Sequence, residues 1–491
     1  MPRTSSLHSI TSRDGGDGSV KKRIVLPAML LLSLLLAGCQ YTAAPADLLR
    51  KPQISADKEQ LLAAVTKALP EFSIMMLPHS DNGQEAIRLI DLDGDGADEA
   101  VVTYYNEYSS PEIMALRLTE NGWRQWLLVE QPLAREMTWL SIEDMDGDGT
   151  KELAVGWTGA FDSPAVLELY SFQSKAVRND KGKLKLPPSA SLPFSLAETA
   201  DLDRDGNTEL AVISESSSAG AAAELVVPVF QLTMYTWEDG RLTSKARTTL
   251  PEGVSLFDRM IMGNISTRHQ GVVLEGGTGA HSLLTFMYAW NGRQLTLVYP
   301  TPELEKQGYG FSGKPTFSED MNGDGIIELQ RTWEAPGHEG VPYSDSLWMN
   351  EWLQWDGRTS FNKVAEQYVD PSYGIRLDIP ESWKDSYTMV KPPRASYGIV
   401  TFQYYNAETD EIADLATVYV VPLSQWEGVE HVWRDEKRLF RSLGVHSGNQ
   451  YAVSFHEDGL ESLTAASRSD AQEMLKVRDS FSDYLSIDFA E

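Results

Sequence analysis

The stretch that decides the fold is "DLDGDGADEAVV", residues 91–102. It sets carboxylates at Asp91, Asp93, Asp95 and Glu99 and then passes at once into an apolar, β-branched run. Like charges this close repel one another unless a cation sits among them. The pattern returns as "DMDGDGTKE" at 144, "DLDRDGNTE" at 201 and "DMNGDGIIE" at 320, in steps of 53, 57 and 119 residues. The last step is about twice the others. Halfway across it lies "RMIMGNISTRHQGVVLEGG", with a strand-like run on each side of a gap that holds no carboxylate. We read this as a further repeat, centred near Gly263–Gln270, that has lost its acidic loop. Five repeats then run from about 85 to 368.

Each repeat supplies about four short strands. In the first, "EAIRLI" leads into the loop, "EAVVTYY" leaves it, and "EIMALRLTENG" with "WRQWLLVEQP" forms a hairpin. Asp-Gly or Asn-Gly turns follow aromatic strands in later repeats too, as in "YTWEDGRLT", "YAWNGRQLT" and "LQWDGRTS". Type I′ turns need positive φ at both central residues, which suits these pairs. A four-stranded unit of this size cannot bury its faces alone, and repeated around a ring it makes a β-propeller. The expectation is a mainly β fold with a five-bladed propeller, six or seven blades being the alternative.

Glycine at position 6 of the acidic loop allows a tight curl, so the side chains at positions 1, 3 and 5 can converge. Hard oxygen ligands in this number suit Ca²⁺, and Mg²⁺ with its strict octahedron fits less well. An EF-hand needs a glutamate at position 12, whereas Val102, Val155, Val212 and Arg331 stand there. The alternative for each loop is an ion-free Asx-rich turn. Fifteen carboxylates at positions 1, 3, 5 and 9 of four short loops argue against it.

A strand, an acidic loop closing on an acid at position 9, and a second strand resemble the calcium loops of FG-GAP (VCBS-type) repeats, known from integrin-like propellers. That resemblance covers residues 85–368 and implies about four structural Ca²⁺ sites. The implied ligands are Asp91, Asp93, Asp95 and Glu99; Asp144, Asp146, Asp148 and Glu152; Asp201, Asp203, Asp205 and Glu209; and Asp320, Asn322, Asp324 and Glu328. The backbone carbonyls of Ala97, Thr150, Asn207 and Ile326 would complete the shells. Arg204 departs from the pattern by replacing the glycine at position 4, which is not a ligand. The fifth, degenerate repeat offers Ser266 and His269 and is assigned no metal.

At the N-terminus, Lys21, Lys22 and Arg23 precede an apolar run from Ile24 to Leu36, followed by "LAGC" ending at Cys39. This is the layout of a secretory signal, and its last four residues resemble the lipobox of bacterial lipoproteins. The resemblance implies cleavage after residue 38, lipidation of Cys39 and attachment to the outer side of a bacterial membrane. Cys39 is the only cysteine, so no intramolecular disulfide can form. Residues 1–38 hold five basic and two acidic residues, so a net charge of −29 becomes −32 on their removal. Such a chain repels nucleic acid.

A linker and the helix-like "ADKEQLLAAVTKAL" (56–69) fill residues 39–84. From 369 to 491 the texture changes to strands, a helix expected over about 424–443, another strand, and a helix over 467–481, which suggests a small α+β domain. Its "YGIRLDIPESW" and "LKVRDSF" resemble PsbP/Mog1-type small domains, which implies an accessory or binding role.

The sequence holds no H-E-x-x-H, no G-x-S-x-G and no phosphate-binding glycine loop. His281, in the glycine-rich "GGTGAHS", is the histidine best placed to approach a ligand. Trp348, Trp352 and Trp355 suggest either a carbohydrate platform or interblade packing. The expected function is binding of protein or glycan at the cell surface. A glycan lyase or hydrolase working on the propeller's central face is the alternative, and a structural or assembly-factor lipoprotein is a third reading.

Overall fold

The computed structural model describes residues 56–78, 85–160, 163–218, 227–279, 281–338, 341–343, 346–383, 385–393 and 396–487. The signal segment, Cys39 and His79 lie outside them. Strands make up 50% of the structure and helices 14%, so the fold is mainly β. A helix spans Ala56–Ala68, with Asp57 and Glu59 in its first turn and Lys67 in its last. That placing of charges complements the helix dipole. Among the described residues no helix is long and apolar enough to cross a membrane.

The described residues from Val65 onward form one compact unit. Four of its sheets contain four-stranded antiparallel meanders. The first joins Ile87–Ile90, Glu99–Tyr105, Pro111–Thr119 and Gly122–Glu130. The second joins Ala134–Glu143, Glu152–Gly159, Val166–Ser171 and Ala190–Pro193. The third joins Leu196–Ala200, Glu209–Ser218, Val227–Glu238 and Arg241–Thr249. The fourth joins Leu256–Asn264, Gln270–Gly277, Leu283–Trp290 and Leu295–Tyr299. In the fifth sheet a single bridge, Glu319 to Glu328, stands in for the leading strand before Leu329–Glu334, Trp348–Trp355 and Phe361–Asp370.

In the first, second and fourth repeats the second strand is buried along most of its length, as is the first half of the third repeat's, and the pleat explains why. In Glu152–Gly159, Leu153 and Val155 enter the cluster shared with the first sheet, while Ala154 enters the one shared with the third. Leu210 and Val212 likewise face the second sheet, and Ala211 and Ile213 the fourth. Val273 faces the fifth sheet while Val272 and Leu274 face the third. Successive side chains point to opposite faces. A strand packed on both faces therefore reads as an unbroken apolar run, as in "ELAV" and "GVVL".

Of the Asp-Gly and Asn-Gly hairpins, only Asp239-Gly240 has positive φ at both residues, 50° and 70°. At Gly122, Gly292 and Gly357 the glycine alone is left-handed. Another departure is an excursion in the second repeat. Val177–Arg178 and Leu184–Lys185 pair with each other, and Lys185 pairs in parallel with Leu128 of the first sheet.

The fifth sheet continues past residue 368, because Phe361–Asp370 pairs with Ile375–Asp378, which pairs with Leu485–Ile487. The sixth sheet orders Tyr387–Val390, Gly398–Asn406, Glu411–Pro422, Asn449–Phe455 and Leu439–His446. One core joins it to the fifth: Leu347, Met349 and Tyr368 pack with Trp383, Phe402, Val418 and Phe481.

The helix expected over 424–443 ends early, at Leu423–Asp435, and Leu439–His446 is a strand. Lys437 turns to φ 56° between them. Phe440 nevertheless joins Trp426, Val429 and Trp433 in one cluster, so its helical spacing from Trp433 is coincidental. The final helix covers Ala465–Met474 and gives way to 3-10 turns over Leu475–Asp479 and Phe481–Asp483.

Glu411 fastens the start of that last helix. It accepts hydrogen bonds from the Ser467 hydroxyl (2.5 Å), the Thr464 N–H (2.7 Å) and the Thr464 hydroxyl (3.0 Å). The Ser467 hydroxyl and the Thr464 groups hold this carboxyl down at about 2, from an ordinary 4.5. The folded pKa is the lower one, so the carboxylate's stabilising effect is present above about 4.5 and fades as pH falls toward 2. Glu411→Gln should therefore flatten the acid limb of a stability–pH curve in that window. Chemical denaturation at pH 6 and pH 3 measures it, and identical losses in both proteins would remove the assignment.

Candidate metal loops

In the four acidic loops one hydrogen-bonded frame recurs. The N–H of position 6 donates to the carboxylate of position 1: Gly96 to Asp91 (2.9 Å), Gly149 to Asp144 (2.9 Å), Gly206 to Asp201 (3.2 Å) and Gly325 to Asp320 (2.8 Å). The N–H of position 7 donates to position 5: Ala97 to Asp95, Thr150 to Asp148, Asn207 to Asp205 and Ile326 to Asp324, at 2.7–2.9 Å. The position 9 glutamate reaches back to the N–H of position 2, with Leu92, Met145, Leu202 and Met321 donating at 2.7–3.2 Å. These glutamates are 0–2% exposed.

Successive loops are laced together. The N–H of Lys151 donates to the Leu92 carbonyl (2.9 Å), and that of Thr208 to the Met145 carbonyl (3.2 Å). Position 4 of one loop packs on position 6 of the next: a Cβ on Gly94 would lie 2.6 Å from the Gly149 carbonyl oxygen, at a φ of +73°. Arg204 occupies the same position in the third loop at φ 61°. It faces the degenerate repeat, whose turn spans five residues (265–269) where the first loop spans eight (91–98). The shorter turn leaves room for a side chain, and the Arg204 guanidinium donates to Asn264 Oδ1 at 2.6 Å.

In the first three loops, positions 1, 3 and 9 are brought together: Asp91, Asp93 and Glu99; Asp144, Asp146 and Glu152; Asp201, Asp203 and Glu209 each offer oxygens within 4.8 Å of one another. The position 5 aspartates Asp95, Asp148 and Asp205 are outside these groups, engaged by the N–H two residues on. Asp93 Oδ1, Asp144 Oδ1 and Asp146 Oδ1 are buried yet accept no hydrogen bond. Three converging carboxylates with orphaned oxygens are the donor set a hard cation satisfies. Burial pushes Glu152 and Glu209 up to about 7 against the pull of their backbone donors.

The residue beside each glutamate on the next strand differs. In the first loop Arg117 reaches Glu99 Oε1 (2.9 Å) and also pairs with Asp93. In the fourth, Gln354 donates to Asp324 and Glu328 (both 2.8 Å), and the amide of Asn322 points at the same two carboxylates. In the second, Ser171 pairs with Glu152 and Gln173, just past that strand, donates to Asp148 at 2.5 Å; in the third, the register that pairs Leu210 with Tyr235 sets Thr236 across from Glu209. These neighbours carry no motif, and only the next strand and the turn after it place them. Arg117 supplies a fixed positive charge where an ion would sit. Arg117→Gln should therefore raise the first loop's calcium affinity about tenfold or more, read by calorimetric titration. Unchanged affinity would show that Arg117 swings clear at no cost.

The other candidates are scattered. His269 packs on Trp355 (4.9 Å between ring centroids) and accepts or donates to the Ser266 hydroxyl at 3.0 Å. Trp355 lies in the core between the fourth and fifth sheets. His281 is exposed and stacks on Tyr343 at 4.7 Å. Trp348 and Trp352 share the lining of one cavity. No protein-family model and no curated protein matches the chain.

Proposed function

We propose that the protein is an exported, lipid-anchored binding module of the bacterial envelope, whose repeats close into a five-bladed propeller fastened by Ca²⁺. The observation that carries this reading is the repetition of one loop frame, with three carboxylates converging and buried oxygens left without donors. Asp91, Asp93 and Glu99, Asp144, Asp146 and Glu152, and Asp201, Asp203 and Glu209 would hold the ions; Asp320, Asn322, Asp324 and Glu328 form a weaker fourth site. A bound ion supplies charge neutralisation that stiffens the turn. The chain's own residues set the curl, exclude bulk water from the glutamate and tie each loop to the next. The role is structural, and it presents the sheet faces and the C-terminal sheet for binding a protein or glycan. Buried aromatic and aliphatic contacts between successive sheets, from the first to the fifth, are what a blade arrangement requires.

The test is calcium calorimetry on the full chain, with membrane fractionation of wild type and Cys39→Ala. Two or more calcium ions bound, and release of the variant from membranes, are the expected results. Absence of calcium binding at about 1 mM, the weak end of extracellular calcium modules, would overturn the metal assignment. A variant that stays in the membrane would overturn the anchor.

A further inference from the structure

Beside the fifth sheet lies a cavity of about 500 Å³, within the roughly 300–1,000 Å³ of small-ligand sites. Its charged lining is Arg259, Lys314 and Arg376 against the single carboxylate Glu319, in a chain of net charge −29. Trp348, Trp352 and Phe317 supply aromatic surface.

These groups are held in place from behind. Glu275 is 2% exposed and its Oε1 accepts from the Ser318 N–H (2.9 Å), the Ser318 hydroxyl (2.7 Å) and the Thr316 hydroxyl (3.2 Å). That pins the segment carrying Phe317, and Glu275 also pairs with Arg259 at 3.6 Å. The Lys314 N–H donates to Thr332 Oγ1 at 3.1 Å, and its ammonium stands 5.6 Å from the Trp348 ring centre. Trp352 is fixed by its indole N–H on Gln367, which in turn donates to Asp378. Gly313 backs Trp348 so closely that a Cβ there would meet the ring at 2.2 Å. The Trp348 indole N–H is buried without a hydrogen-bond partner. Trp348 continues into Tyr343 at 5.3 Å and, through it, to His281.

We infer that this cavity binds an acidic oligosaccharide, one whose sugar rings carry carboxylates. This rests on the reading of the chain as a binding module and names its ligand class. Aromatic faces take up the C–H faces of sugar rings, and cations pair with the carboxylates by charge-assisted hydrogen bonds. The lining is rich in donors and holds one carboxylate. An acidic peptide would meet the cations but has no sugar-ring face to lay on Trp348 and Trp352.

The experiment is titration calorimetry of the full chain, in calcium, with hyaluronan tetrasaccharide, with its methyl ester and with tetraglutamate. The tetrasaccharide should bind about tenfold tighter than the ester, the worth of one charge-assisted hydrogen bond. Lys314→Gln should lose a similar factor, and so should Trp348→Phe, which keeps an aromatic face and deletes the N–H. Unchanged calcium-dependent melting of both variants separates a binding defect from a folding one. Equal affinity for acid and ester would overturn the acidic class, and tighter binding of tetraglutamate would replace the glycan by an acidic peptide. No binding of any probe by a calcium-responsive protein would sink this inference and leave the module reading standing. Tetrasaccharide binding without a calcium response would uphold this inference and overturn the calcium assignment of the loops.

Discussion

Calcium added to the chelated full chain should raise its unfolding midpoint by roughly 5–10 °C. A ligand that binds only the folded state stabilises by about 2.7 kcal/mol per site at a hundredfold excess over its dissociation constant. Among the described residues no salt bridge engages the carboxylate trios of the second and third loops, unlike Arg117 in the first, so two sites contribute about 5 kcal/mol. A chain of this size converts each kcal/mol into roughly one or two degrees. Scanning calorimetry in chelator and in calcium measures the shift. Asp146→Asn combined with Asp203→Asn should abolish most of it, because each removes a carboxylate from a converging trio. Arg117 already occupies the first trio, and Gln354 the carboxylates of the fourth loop, so Asp93→Asn should matter less. A midpoint indifferent to calcium would mean the loops are turns held by their Asx hydrogen bonds alone.

Trp383→Ala should destabilise the C-terminal half by about 3–5 kcal/mol, as large-to-small changes in a packed core do. Trp383 is fully buried, and its ring packs against Phe402 (5.4 Å), Phe481 (6.3 Å) and Tyr387 (6.5 Å). Its indole N–H donates to the Met474 carbonyl at 2.8 Å, which closes the C-terminal end of the last helix. Truncation leaves both a cavity and an orphaned carbonyl. Trp383→Phe keeps part of the volume and should cost less. Urea unfolding followed by tryptophan fluorescence and by circular dichroism reads the loss. Since the fifth and sixth sheets share this core, both signals should shift together. A change below about 1 kcal/mol would show that the neighbouring rings collapse into the space.

The strand–loop–strand repeats were legible because their cause is local. Glycine at positions 4 and 6 sets the curl, aspartates at 1 and 5 cap the turn's own N–H groups, and the apolar runs after each glutamate follow from burial on both faces. Even the degenerate repeat could be read, since no carboxylate stands between Asn264 and Gln270. The end of the helix at Asp435 could not. Trp433 and Phe440 are seven residues apart, the spacing of a helix face, and only the packing of Leu439–His446 beside Asn449–Phe455 makes the second of them a strand residue. Strand Leu184–Lys185 is likewise two residues long and has no pattern to recognise.

At the loops, the sequence by itself determined which side chains can face a cation, because that depends on spacing within nine residues. What those carboxylates meet was decided by tertiary structure. Arg117 and Gln354 come from the next strand, and Asn264 reaches Arg204 across 60 residues. The cavity follows the same rule: Arg259, Lys314, Trp348 and Arg376 belong to four separate segments, and no spacing links them. Local hydrogen bonding and periodicity act over a few residues and leave a mark in the chain. Contacts between sheets are fixed only when apolar faces are buried against each other, and that burial places the charges.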